Sequence, residues 1–77
     1  MNRRKNSNTK TIAFMSETYA LKAQKKLAEK GIYSFPVTLS EPTRRGCSHG
    51  LVISSDEENA ALSALMTAAV GRYDVLK

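Results

Sequence analysis

The sequence predicts an α+β sandwich, with two helices on one face of a four-stranded antiparallel sheet. Three observations carry this. Two strand–helix–strand stretches of similar length follow one another. Both helical stretches are amphipathic. The proline inside the clearest alternating run, Pro36, falls where this order places an edge strand. The resulting βαββαβ order is ferredoxin-like, with the first and third strands central and the second at an edge.

The elements follow in order. Residues 1–9 are polar apart from Met1 and read as a disordered basic tail, leaving residues 10–77 as one domain. Thr11 to Met15 is a short apolar run, the pattern of a strand buried on both faces. Ser16 offers a hydroxyl to cap a helix running from about Glu17 to Lys30, with Glu17 in its first turn. Lys22, Lys25, Lys26, Glu29 and Lys30 form its solvent face. Ala20, Ala23, Leu27 and Ala28 form the small-residue face opposite, and Gly31 ends the helix.

From Ile32 to Leu39 the pattern alternates, putting Tyr33, Phe35, Val37 and Leu39 on one face. A polar loop spans residues 40–50, and Leu51 to Ser54 is the third strand. Ser55 and Glu58 have capping-box spacing. The helix they open carries Leu62, Leu65, Met66, Ala69 and Val70 on one face and ends at Gly71. Tyr73 to Leu76 is the last strand. The expected core is Phe14, Leu27, Phe35, Ile53, Leu62, Leu65 and Met66.

Composition narrows the function. A chain of 77 residues with one cysteine has a thin core and no disulfide, which leaves self-association as an added source of stability. No apolar run approaches the roughly 20 residues of a membrane helix, and no signal-peptide core follows the basic start. A cytoplasmic protein with a reduced thiol is expected. The net charge of +5 owes much to Arg3, Arg4 and Lys5; removing these three leaves nine basic residues against seven acidic ones. That balance argues against nucleic-acid binding. Cys47 and His49 are too few for a zinc site, so no metal and no cofactor are expected.

The stretch Thr43-Arg44-Arg45-Gly46-Cys47-Ser48-His49-Gly50-Leu51 resembles the selenium/sulfur carrier protein-like family of small bacterial domains. The likeness extends to the strand–turn–helix at Phe14 to Ala23, to Gly31-Ile32, and to a Pro/Arg loop leading through the cysteine into an apolar strand, Pro42 to Ile53. It covers roughly residues 11–76. Many members place glycine directly after the cysteine, whereas here Ser48 and His49 intervene before Gly50. The resemblance implies a carrier in which Cys47 accepts persulfide sulfur or selenide and passes it on. A cysteine desulfurase or sulfurtransferase-type protein would be its partner.

The residues themselves fit that chemistry in part. A thiolate is the nucleophile, and Arg44, Arg45 and loop N–H groups are the means of favouring it. Gly46 and Gly50 would let a donor approach, and His49 stands nearby in sequence. No general base or second nucleophile is evident, so the pattern fits a carrier better than an enzyme. The carrier reading demands an accessible Cys47. A buried Cys47, or one that never takes up sulfur, leaves only the alternative, a small non-catalytic binding or assembly module using its sheet edge or basic surface.

Overall fold

The computed structural model describes residues 8–76. The elements are β1 (Thr9–Phe14), α1 (Glu17–Glu29), β2 (Phe35–Thr38), β3 (His49–Ser54), α2 (Glu58–Met66) and β4 (Tyr73–Leu76). The sheet order is β2-β3-β1-β4 and every neighbouring pair is antiparallel. This is the ferredoxin-like βαββαβ arrangement, with β1 and β3 central and β2, the proline-bearing strand, at an edge. Thr9 already pairs with Ser54, so the domain begins one residue before the expected boundary at 10. The rest of the expected tail lies outside the described residues, except Asn8.

Helix α1 forms as its sequence dictates. The Ser16 side chain accepts the Tyr19 N–H at 3.1 Å. At the other end the Ile32 N–H donates to Leu27 O at 2.9 Å and the Gly31 N–H to Ala28 O at 3.0 Å. With Gly31 at φ 78° this is a Schellman closure, which satisfies carbonyls the helix would leave unpaired.

Helix α2 departs from expectation at both ends. The Ser55–Glu58 capping box does not form; Ser55–Glu57 is a 3-10 turn with no side-chain cap, and the helix starts at Glu58. It ends at Met66 instead of Val70. The Thr67 hydroxyl donates to Ala64 O at 3.2 Å, and the Ala68 N–H reaches back only to Leu65 O. A side chain that competes for helix carbonyls tightens and stops the last turn. Val70, released from the helix, folds into the core.

The core lies between the helices and one sheet face, centred on Ile12, Phe14, Leu51 and Ile53 beneath Ala23, Leu27 and Leu65. Of the expected core, Phe14, Leu27, Ile53 and Leu65 are buried and Leu62 is half-buried. Phe35 and Met66 are not: they are 57% and 80% exposed. Register explains Phe35. Leu51 pairs with Ile12 on the helix side and with Pro36 of β2, so Phe35, opposite Val52, points to the other face. The alternation is as read, with the opposite face inward, and Ser34 is the residue turned under the helices. Met66 is exposed because α2 buries Ala61, Ala64 and Leu65, a face rotated by about one residue from the expected stripe.

Among the described residues no helix is long and apolar enough to cross a membrane.

Candidate functional site around Cys47 and the open sheet face

Cys47 sits in the connection between β2 and β3. The Leu39 N–H donates to Ser48 O at 2.8 Å, which extends the β2–β3 ladder and leaves residues 40–47 as a flap. The tip of the flap is a closed unit. Thr43 O accepts the Gly46 N–H at 2.8 Å, and the Thr43 N–H donates to Cys47 O at 2.9 Å. The Cys47 N–H in turn donates to Thr43 Oγ1 at 3.1 Å. Gly46 lies at φ 84°, a left-handed conformation that a side chain at this position would strain.

One residue far away in sequence fastens this tip. The Thr43 hydroxyl donates to Asp74 Oδ2 at 2.5 Å, and Arg45 Nε donates to Asp74 Oδ1 at 3.4 Å. Asp74 is on β4, opposite Ala13 of β1, which is itself opposite Gly50 of β3. The flap therefore reaches from the β2 side of the sheet to its far edge strand, on the face away from the helices. Ala13, on that face, is fully buried.

The thiol is fully buried too, with 0% exposure, which corrects the expectation of an accessible Cys47. The loop that was to present the sulfur closes on itself through Thr43 and shuts the side chain away. The supporting residues divide. Arg45 is engaged by Asp74. Arg44 is exposed and makes no ion pair among the described residues. His49 pairs with Phe14 and Thr38, on the helix side of the sheet, and so is turned from the Asp74 network. Gly50 serves packing: a Cβ there would lie 3.0 Å from Thr11 Cγ2 and 3.1 Å from Val37 Cγ2. Thr43 and Asp74, which the sequence reading did not single out, hold the site together. The available signal was Asp74 itself, a lone carboxylate inside an otherwise apolar strand.

A second feature lies elsewhere on the open face. Tyr33, 76% exposed, and Phe35 flank a groove of about 340 Å³ lined also by Thr9, Val52, Ser54 and Glu57. Among the described residues no Lys or Arg lines it. The lysines of α1 lie in the helix layer, on the other side of the sheet, with Lys22, Lys25 and the C-cap Lys30 exposed. The edge of β2 is blunted. The Leu39–Ser48 bond makes Val37–Gly50 and Phe35–Val52 the bonded pairs of the ladder, which turns the Pro36 nitrogen outward, where it can donate nothing.

Among the described residues no group of three or more His, Cys, Asp or Glu side chains is placed to hold a metal ion. Comparison of the chain with protein-family models, with curated proteins and with solved structures finds no match.

Proposed function

We propose that this chain is a small non-catalytic assembly module, and that a second copy of itself covers the open sheet face at Tyr33 and Phe35. The observation that carries the reading is the pair of exposed aromatic side chains beside a groove, on the sheet face that the helices leave uncovered. Exposed aromatics grouped on one face mark an interaction surface, and rigid rings contribute contact area at low entropic cost. Charge selects the occupant. A basic chain meets least charge repulsion on self-association where the contact surface carries no cation. Among the described residues the groove is lined by one carboxylate, Glu57, and by no Lys or Arg, while the α1 lysines stay on the far layer. The same absence of cations disfavours a nucleic-acid backbone, and Pro36 disfavours strand addition at β2. Two copies packing face to face about a two-fold axis present apolar surface to apolar surface.

Sedimentation equilibrium from low to high micromolar concentration tests this. A reversible dimer is expected, and Tyr33→Ser with Phe35→Ser should make it monomeric with an unchanged circular dichroism spectrum. A chain that stays monomeric throughout, or a double variant that associates as the parent does, overturns the reading.

A carrier role is the second reading; the burial of Cys47 counts against it unless the flap opens, and one observation favours it. Cys47 is buried in a flap, outside the continuous apolar cluster around Ile12 and Phe14 where an inert cysteine would be expected. With the flap open, the Cys47 thiolate would attack the outer sulfur of a donor persulfide. A new S–S bond forms on Cys47, the donor's S–S bond breaks, and the donor thiolate leaves. The partner is then a cysteine desulfurase or sulfurtransferase-type protein. Mass spectrometry after incubation with a desulfurase and cysteine should show a gain of one sulfur atom, absent in Cys47→Ser. No gain on the parent chain removes the carrier reading.

A further inference from the structure

We propose that the β2–β3 flap is a lid over Cys47 and that Asp74 is its latch. The lid has the parts such a device needs. Its tip, residues 43–47, is held as a body by three internal hydrogen bonds between Thr43 and Gly46 or Cys47. Its base is marked by the Leu39–Ser48 bond, where the regular ladder resumes. Between tip and base run Ser40, Glu41 and Pro42, all exposed. Among the described residues, the side-chain polar contacts from the tip to another element all end on one carboxylate, through Thr43 and Arg45.

Thr43 couples the latch to the cysteine. Its hydroxyl donates to Asp74 while accepting the Cys47 N–H, so one oxygen joins the thiol's own backbone to β4. Releasing Asp74 leaves the internal turn intact but unfastened, and the tip swings as a unit about residues 39–42 and 48. The thiol, shut from solvent in the closed form, becomes reachable in the open one. Opening is local: β1, β3 and the helices hold the apolar core without any flap residue. The latch is a positioning device, since Asp74 acts on Cys47 only through Thr43 and the flap. It deepens the carrier reading, because such a carrier needs this opening, but its test involves no sulfur donor.

The test is the rate at which the full chain is alkylated at Cys47 by iodoacetamide under native conditions, followed by mass. The parent chain should react much more slowly than the same chain unfolded in urea. Asp74→Ala should react at least tenfold faster than the parent, with Asp74→Asn in between, since an amide keeps an acceptor for Thr43 and loses the charge that holds Arg45. Leu27→Ala, a change in the core cluster on α1, controls for global unfolding. Acceleration in the Asp74 variants beyond that of a core variant of equal melting temperature supports the latch. Should Asp74→Ala fail to fold, Asp74→Asn and Thr43→Val carry the comparison. An unchanged rate in the Asp74 variants, or an equal rise in the stability-matched core variant, overturns it. So does a parent thiol that reacts as fast as in the unfolded chain.

Discussion

Leu65 and Met66 are neighbours on α2 and differ in surroundings as much as two residues can, which makes them the sharpest test of the packing described here. Leu65 is 2% exposed and Met66 80%. Leu65→Ala removes three buried carbons, which at about 0.8 kcal/mol per CH₂ is about 2.4 kcal/mol of lost transfer energy. The vacancy lies within the buried cluster between the helices and the sheet, and such cavities bring the total to roughly 2.7–5 kcal/mol. A chain of this length has about 4–12 kcal/mol in all, so the loss is a large share of it. Met66→Ala removes side-chain atoms that are already in water and should change stability by less than about 0.5 kcal/mol. Urea unfolding followed by circular dichroism gives both numbers, with a common m-value if unfolding stays two-state. The Leu65 variant should also melt at least about 10 °C lower. Equal costs for the two substitutions, or a Leu65→Ala loss below about 1 kcal/mol, would refute the assignment of the α2 face.

Two further outcomes follow from local geometry. Gly31 and Gly71 both have positive φ, but a Cβ at Gly31 meets nothing within 4 Å while one at Gly71 would lie 2.9 Å from the Tyr19 ring. Gly31→Ala should therefore cost about 1–2 kcal/mol for the left-handed backbone alone. Gly71→Ala should cost at least about 1 kcal/mol more by overpacking, and equal melting curves for the two would contradict the Tyr19 contact. The Ser34 hydroxyl is buried and has no hydrogen-bond partner among the described residues. Leaving such a group unpaired costs about 1–3 kcal/mol, so Ser34→Ala should be neutral or stabilising, and a measured loss above about 1 kcal/mol would mean that the hydroxyl is bonded.

The site was legible in part. That Cys47 lies in a glycine-bearing loop between two strands is plain in the sequence, and Gly46 does take the conformation only glycine adopts freely. What the loop does with the cysteine was not legible. The Thr43–Asp74 hydrogen bond joins residues 31 apart, and neither residue has a neighbour in sequence that announces the other. Proximity in sequence was also a poor guide to proximity in space. His49, two residues from Cys47, lies on the helix side of the sheet, away from the Thr43–Asp74 bond, because strand residues take their side from register and not from the loop that precedes them.

The sequence by itself determined the element order, the Ser16 cap, the Gly31 closure and the edge position of β2, because each rests on local chemistry: a hydroxyl at a helix start, a residue free to adopt positive φ, a missing N–H. Tertiary structure decided which side of each element faces inward. Period two in β2 says that Tyr33, Phe35 and Val37 share a face; only pairing with β3, where Leu51 lies opposite Pro36, says that the face is the open one. The same holds for α2, whose apolar residues nearly encircle it, so that contact with the sheet and not the pattern chose Ala61, Ala64 and Leu65. The burial of Cys47 is the extreme case. The loop that carries Cys47 is bonded through Thr43 and Arg45 to Asp74 of β4, and a long-range contact of that kind has no local signature.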